Sequence, residues 1–296
     1  MNQSTTDLFL GCPVWACESW KGSLFTAAAP RREWLPQYSS VFRTVEGNST
    51  FYALPPLERF HEWGSSAAKG FRFSLKVSRT ITHDRRLRNA RSELDRFVGA
   101  AEILQKYDVL GPSFIQLPPD FSPDESQALL DFLNQLPQHL PWAVEVRHHG
   151  WFDLDRQERW LIDLLTERGL DFVLFDSRPL YSAPPEDEVE RISQSRKPRT
   201  PLRHTVTARH PFLRIVGRNQ IQQTLPWLSE WGPIIADWLQ QGLQPFIFTH
   251  APDDRFAPEF ATLMHEQIRR HLPALPELPV WPGRRQPTTR QKSLFD

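Results

Sequence analysis

Short apolar stretches alternate along the chain with longer stretches in which apolar residues recur every three or four positions. The short stretches have the length of buried β-strands, and the longer ones have the period of amphipathic helices. The predicted strands are 8–15, 41–48, 71–77, 111–117, 142–146, 170–175, 211–216 and 244–249. The predicted helices are 32–39, 57–68, 92–107, 123–136, 157–168, 226–241 and 258–271.

Eight strand and helix units without an internal repeat favour an α/β protein of the (β/α)8 TIM-barrel type. Parallel strands need helical crossovers, and closing the sheet into a barrel removes its edges. An open doubly wound sheet is the alternative. We expect one domain over residues 1–272, with an insertion at 178–209 between strands 6 and 7 that serves as a lid, a packed excursion or a dimer contact. Residues 273–296 are rich in proline and predict a flexible tail.

The amino-acid composition bears on the possible partners and on the cellular location of the protein. The chain has 35 basic and 35 acidic residues, so no net field attracts it to nucleic acid or to a membrane surface. It lacks an apolar run of about 18 residues and a secretory leader pattern, which predicts a cytoplasmic protein with no membrane partner. Cys12 and Cys17 are too few for a disulfide framework or a four-ligand zinc site, and we expect reduced thiols.

Polar side chains stand at the carboxyl ends of the predicted strands, where TIM barrels carry their active sites. Glu46 and Asn48 are two residues apart and leave the same face of an extended chain, as Glu145 and Arg147 do on another strand. The other polar strand ends are Lys76, Gln116, Asp176, Arg178, Arg214, Arg218 and His250. The alternative for the set is solvated or mutually paired loop residues, and for Arg214 it is an ion-pair strut.

The chemistry of these side chains predicts a small anionic or polyhydroxylated ligand. Guanidinium and ammonium groups bind phosphate or carboxylate, and two carboxylates can act as acid and base when their surroundings separate their pKa values. The candidate catalytic residues are Glu46, Glu145 and Asp176. The candidate ligand-binding residues are Asn48, Lys76, His83, Arg147, Arg178, Arg218 and His250. For His83 a structural hydrogen bond is the alternative.

A divalent metal site built from Glu46, Glu145, Asp176 and His250 is not favoured. The neighbouring cations compete for the carboxylates, and no compact metal motif such as HExxH is present. The phosphate-binding GxxxxGK[ST] loop, the dinucleotide-binding GxGxxG turn and the GxSxG nucleophile elbow are absent as well. The sequence therefore assigns no cofactor.

Seven segments resemble the YecE family, also called domain of unknown function 72. They are GCPVWACESWKG, FRTVEGNSTFYALP, GFRFSLKVSRTITH, FIQLPPDFSP, AVEVRHHGWF, FDSRPL and FIFTHAPD. The resemblance covers residues 8 to about 271 and implies a single-domain TIM barrel of bacterial type, described as sugar-isomerase-related on fold similarity alone. It places these residues on characteristic positions without established roles: Glu46, Asn48, Lys76, His83, Glu145, Arg147, Asp176 and Arg178. Thr249 and His250 stand where many members have two asparagines.

Residues 291–295, QKSLF, match the Q-x-[S/D]-L-F pentapeptide with which bacterial proteins bind the DNA sliding clamp. The predicted contacts come from Gln291, Ser293, Leu294 and Phe295, with the last two filling an apolar pocket. The alternative is that Leu294 and Phe295 fold back on the barrel. Three function classes stay open: an acid/base enzyme acting on a sugar or sugar phosphate, a clamp-tethered factor of DNA replication or repair acting on phosphodiesters, and a non-catalytic ligand-binding barrel. Direct nucleic-acid binding is left open.

Overall fold

Eight parallel strands form a nearly closed barrel in the computed structural model, which describes residues 7–285. They are β1 (Phe9–Cys12), β2 (Thr44–Gly47), β3 (Arg72–Leu75), β4 (Ser113–Gln116), β5 (Trp142–Glu145), β6 (Asp171–Asp176), β7 (Phe212–Val216) and β8 (Phe246–His250). Each predicted strand is present. The observed strands are shorter, because the apolar runs continue beyond the residues that pair with a neighbour.

The order of the strands around the sheet is β3, β2, β1, β8, β7, β6, β5, β4. Every strand thus lies beside its neighbours in sequence, and β1 pairs with β8. Parallel bridges from Phe73 to Leu110 and from Lys76 to Phe114 bring β3 against the β4 side. This cyclic order confirms the (β/α)8 barrel and excludes the open doubly wound sheet.

The helices surround the barrel, and all seven predicted helices are present. The observed helices are α1 (Trp34–Ser39), α2 (Ser49–Tyr52), α3 (Leu57–Ser66), α4 (Arg91–Lys106), α5 (Ser126–Leu133), α6 (Arg156–Glu167), α7 (Glu188–Arg196), α8 (Leu225–Gln240) and α9 (Ala257–His271). Two of them, α2 and α7, were not predicted. The apolar positions of α7 are few, and Asp187 caps its first turn by accepting a hydrogen bond from the Glu190 amide at 2.7 Å.

Aromatic side chains fill the interior of the barrel. The inner cluster consists of Phe9, Phe114, Ala143, Val173, Phe212, Phe246 and Phe248. The rings of Phe9 and Phe246 stack at 4.4 Å between centroids. Since this layer closes the barrel interior, the polar side chains that follow it lie at the carboxyl ends of the strands, at the mouth of the barrel.

The segment after α9 packs against the barrel as far as the structure describes it. Leu275 and Trp281 are buried, and the Gly283 amide donates to the Leu24 carbonyl at 3.3 Å. Residues 273–285 therefore pack on the barrel through apolar contacts and end in a short 3-10 turn at Pro282–Arg284. Among residues 7–285, every helix is too short or too polar to cross a membrane.

Candidate functional site

Arg214, on β7, joins the two candidate glutamates at the barrel mouth. Its Nε and Nη2 donate to the carboxylate of Glu46 at 2.8 and 2.7 Å, and its Nη1 donates to Glu145. Both glutamates have no exposed surface, and Arg214 is 3% exposed. Burial alone would raise the pKa of each glutamate, but the Arg214 guanidinium outweighs it. The pKa of Glu46 is held well below its usual value and that of Glu145 is lowered to about 2.

Two further side chains fix the Glu46 carboxylate. Asn48 donates from Nδ2 to Glu46 Oε1 at 2.8 Å and to the Pro13 carbonyl at 3.0 Å. His250 Nε2 lies 3.1 Å from Glu46 Oε2. Burial lowers the pKa of His250 to about 4, so its imidazole is neutral near pH 7 and donates from Nε2 to the carboxylate. Asn48 and His250 therefore orient Glu46.

The Glu145 carboxylate is held in the same way from two strands. Gln116, at the end of β4, donates from Nε2 to Glu145 Oε1 at 2.9 Å. Arg147 donates from Nε to the same oxygen at 2.6 Å, with a side chain that is 13% exposed. In the described part of the chain the two Nη atoms of Arg147 have no hydrogen-bond partner, so they are available to a ligand.

Lys76 follows β3 and reaches the same region as a buried cation. It is 9% exposed, and its Nζ lies 3.8 Å from the centre of the Phe51 ring. Within residues 7–285 no carboxylate lies within 4.0 Å of this ammonium. Burial and repulsion by Arg214 and Arg147 lower its pKa to about 7. Lys76 can therefore change its protonation state near neutral pH.

His83 contacts the same phenylalanine as Lys76 does. Its ring meets Phe51 edge to face at 5.0 Å, and its Nδ1 is 2.8 Å from Thr82 Oγ1. Burial, together with the charge of Lys76, lowers the pKa of His83 to about 4. A neutral imidazole in this position offers a hydrogen bond to a ligand but carries no charge.

The segment 178–209 contributes Lys197, which the sequence analysis did not select. Burial and the charges of Arg214 and Arg147 lower the pKa of Lys197 to about 8. Asp254 follows β8, which ends at His250; burial raises the pKa of Asp254 to about 6, and the charge of Lys197 opposes that rise. The basic stretch around Lys197 is visible in the sequence, but only the folded segment places it beside the carboxyl end of β6, where Ser177 donates to the Pro198 carbonyl.

Three of the candidate residues lie apart from this network. Asp176 accepts from Arg178 Nε and Nη2 at 3.0 and 2.8 Å and from Trp231 Nε1 at 2.9 Å. Arg218 is buried and donates from Nη2 to Glu190, on α7, at 2.6 Å. The hydrogen-bonding groups of Asp176 and Arg218 are thus engaged by the protein, and we expect their main effect to be on the position of the segment between β6 and β7.

Gln291, Ser293, Leu294 and Phe295 lie outside the described residues. Among residues 7–285, no group of three or more His, Cys, Asp or Glu side chains is arranged to hold a metal ion.

A separate cavity of about 320 Å³ lies beside the barrel, between β1, α9 and residues 275–279. Most of its lining is apolar, with Leu8, Leu10 and Val41 among it. Arg43 at its edge is 3.4 Å from Asp7. A ligand site usually combines a concave surface with several converging polar groups. Such groups converge at the barrel mouth and not in this cavity, so the mouth is the candidate functional site.

The family model described as "Protein of unknown function DUF72" matches residues 9–283. The chain belongs to the DUF72 family. The protein "UPF0759 protein YecE" of Escherichia coli K12 is 33% identical over 288 residues, which is 97% of this chain and 100% of that protein. "UPF0759 protein YunF" of Bacillus subtilis is 26% identical over 150 residues, covering 49% of this chain and 52% of that protein.

Solved DUF72 structures have the same fold. A DUF72 family protein of Enterococcus faecalis V583 superimposes with a TM-score of 0.69 at 19% identity, covering 88% of this chain and 95% of that chain. A DUF72 family protein of Thermotoga maritima gives 0.65 at 20% identity, covering 89% and 99%. At this identity the likeness concerns the barrel alone.

Proposed function

We propose that the barrel mouth of this DUF72 protein binds a small anionic or sugar-like ligand and transfers a proton to or from it. The observation that carries the proposal is the convergence of Lys76, Arg147 and Lys197, here called the cationic mouth. These side chains are at least partly buried and keep nitrogen donors without a protein acceptor in the described residues. Like charges brought together out of water are costly unless an anion joins them.

The charges around the mouth leave an excess of cations. Arg214 pairs with Glu46 and Glu145, which both stay ionised, so these three groups together carry one net negative charge. Asp254 is the remaining carboxylate, with no ion pair to Lys197 within 4.0 Å in residues 7–285. With both lysines protonated, the four cations Arg147, Arg214, Lys76 and Lys197 exceed these three carboxylates by one charge, so a bound anion offsets the excess.

Lys76 supports the proton transfer better than the two glutamates do. Glu145, with a pKa of about 2, is a weak base, and Glu46 is held in the same way. The pKa of Lys76, about 7, suits a group that donates and accepts protons near neutral pH. In this proposal the glutamates hold the charge and position of Arg214 and Arg147. Asp176, the third candidate from the sequence, remains the partner of Arg178.

Sulfate is a suitable probe of the cationic mouth, because its charge is constant between pH 7 and 9. We expect its affinity for the full-length protein to fall at least about tenfold over this range, since Lys76 and Lys197 lose their protons with pKa values of about 7 and about 8. The other titratable groups that face them keep their protonation state over this range: Glu46, His83, Glu145, Arg214, His250 and Asp254. Arg147 is the remaining charged group beside them. Calorimetric titration measures the affinity, and pH-independent binding or none would contradict the proposal.

The proton-transfer part has its own test. The protein is incubated in D2O with a panel of aldose and ketose phosphates, and proton NMR follows the exchange of carbon-bound hydrogen for deuterium. If the wild-type protein catalyses the exchange and the Lys76→Gln variant does not, the result supports an enzyme that uses Lys76 for proton transfer. Sulfate binding without exchange of any panel member favours the non-catalytic ligand-binding barrel.

We propose attachment to the bacterial sliding clamp as a second candidate function, carried by the sequence of residues 291–295. Gln291 would bind a polar notch, while Leu294 and Phe295 would fill an apolar pocket of the clamp. Attachment of this kind favours work on DNA phosphodiesters, which also present an anion to the cationic mouth.

We expect full-length protein to bind purified clamp with micromolar affinity, because a peptide of this size supplies about 7 to 8 kcal/mol. The matched control carries Leu294→Ala and Phe295→Ala together and should lose binding without any change in the barrel's thermal unfolding. Equal binding by both proteins, or none at tens of micromolar, would exclude this mode of attachment.

A further inference from the structure

We infer that Lys197 and Arg147 form a subsite for a dianionic group, so that the ligand of the barrel mouth is a phosphorylated or sulfated small molecule. The inference rests on the proposed function and adds the class of ligand. It also gives the segment 178–209 a defined task, which is to supply one of the cations of the subsite.

The first support is the way the backbone at Lys197 is fixed. Ser177, directly after β6, donates from Oγ to the Pro198 carbonyl at 2.8 Å. The Tyr181 hydroxyl lies 2.6 Å from the Gln194 carbonyl and is also within hydrogen-bonding distance of the Lys197 carbonyl. Lys197 thus starts from a backbone position tied to the carboxyl end of β6, next to the mouth.

The second support is that the same segment is tied to β7 from its other side. The carboxylate of Glu190 accepts from Arg218 Nη2 at 2.6 Å and from the Asn219 amide at 2.9 Å. Asn219 Nδ2 donates to Asp187 at 2.8 Å. Arg218 and Glu190 are each 1% exposed, so this attachment is shielded from water. Helix α7 is therefore anchored to the β7 loop, and Lys197 follows directly after its last turn.

The third support is the geometry of Arg147. Its Nε is used by Glu145 at 2.6 Å, which fixes the plane of the guanidinium. Both Nη atoms lie at the end of the guanidinium beyond Nε and have no acceptor among residues 7–285. A planar pair of N–H donors matches two oxygens of a phosphate or sulfate, and a nearby ammonium binds a third as a point charge.

The number of donors favours a tetrahedral dianion over a carboxylate. Arg147 and Lys197 both lie at the carboxyl end of β6, because the Arg147 guanidinium is 5.6 Å from the centre of the Phe175 ring and the residue after Lys197 accepts from Ser177 at 2.8 Å. A carboxylate offers two oxygens, which satisfies only part of a set of two Nη donors and an ammonium. A tetrahedral anion offers enough oxygens for Arg147, Lys197 and Lys76, and a dianion is attracted to these cations more strongly than a monoanion is.

The test compares anions and variants by calorimetric titration of the full-length protein at pH 7. We expect sulfate to bind at least about tenfold more tightly than acetate. Lys197→Gln should weaken sulfate binding about tenfold, whereas Lys197→Arg retains most of it. Arg196→Gln is the matched control, because Arg196 is the exposed cation immediately before Lys197 and should change sulfate affinity less than twofold. Circular dichroism melts establish that the variants are folded.

The outcomes separate the subsite from the proposed function. If wild-type protein binds sulfate and acetate equally, or if Lys197→Gln behaves as Arg196→Gln does, the subsite is wrong while the anion-binding mouth stands. If wild-type protein binds neither anion, the proposed function fails with it. Titration with inorganic phosphate and with a sugar phosphate then distinguishes a free dianion from a phosphorylated sugar, and either one fits the subsite.

Discussion

Replacing Arg214 by methionine is expected to lower the free energy of unfolding by about 3 to 5 kcal/mol, the cost of removing one partner from a buried ion pair. Glu46 and Glu145 would remain in the barrel without the guanidinium that now contacts both. Two buried carboxylates side by side repel each other and lack the water that would solvate them. The folded state is therefore destabilised unless one of the two carboxylates is protonated.

Urea unfolding of wild-type and Arg214→Met protein at pH 7 measures this loss. Arg255→Met is the control, because the ion pair of Arg255 with Asp253 is largely exposed and should contribute at most about 1 kcal/mol. A loss below about 1 kcal/mol in Arg214→Met would show that the network does not hold the mouth together.

The pH dependence of the two proteins should have opposite signs. In wild-type protein the pKa values of Glu46 and Glu145 are lowered by folding, so their contribution is present above their ordinary pKa and is lost as the pH falls towards about 2. Without Arg214, burial raises these pKa values above the unfolded ones. Arg214→Met should therefore regain stability relative to wild-type as the pH falls from 7 to 5.

Replacing Lys76 by methionine is expected to stabilise the fold while weakening sulfate binding. The buried ammonium has no carboxylate within 4.0 Å in residues 7–285, and folding lowers its pKa from 10.5 to about 7. Each unit corresponds to about 1.4 kcal/mol, so the charge costs on the order of a few kcal/mol near pH 7. Loss of the contact between the ammonium and the Phe51 ring offsets only about 1 to 2 kcal/mol of the stabilisation that removing the charge provides.

The sign of this effect follows from the lowered pKa. Because the folded protein releases its proton before the unfolded chain does, the cost is full below about pH 7 and disappears as the pH approaches 10.5. Urea unfolding at pH 7 and pH 10 should show a stabilisation at the lower pH that shrinks at the higher one. Lys106→Met, on the exposed face of α4, is the control. A destabilised Lys76→Met protein would mark Lys76 as a structural group.

The barrel could be predicted because its signals are local. Each strand is an apolar run of matching length, and each helix that packs on the barrel carries an apolar stripe. Strand ends converge in a parallel barrel, so Glu46, Glu145 and Arg147 could be placed near one another from their spacing alone. Arg214 left a signal too, since it is the one charged residue in the apolar strand FLRIV. The spacing could not show that it bridges both glutamates.

The segment between β6 and β7 could not be predicted, for a physical reason. Helix α7 is held by ion pairs and caps rather than by an apolar stripe, so periodicity does not detect it. Arg218 was expected at the ligand, but it binds Glu190 because the segment folds back over the β7 loop. Lys197 reaches the mouth through that same long-range packing, which no local pattern in the sequence encodes.

The most direct test of the anion-binding mouth is a crystal structure of the full-length protein with tungstate, a tetrahedral dianion with a strong anomalous signal. We expect an anomalous peak whose oxygens lie about 3 Å from the Nη atoms of Arg147 and from the Nζ of Lys76 or Lys197. Sulfate should displace it. If tungstate binds only at exposed surface arginines and the barrel mouth contains none, the account is contradicted.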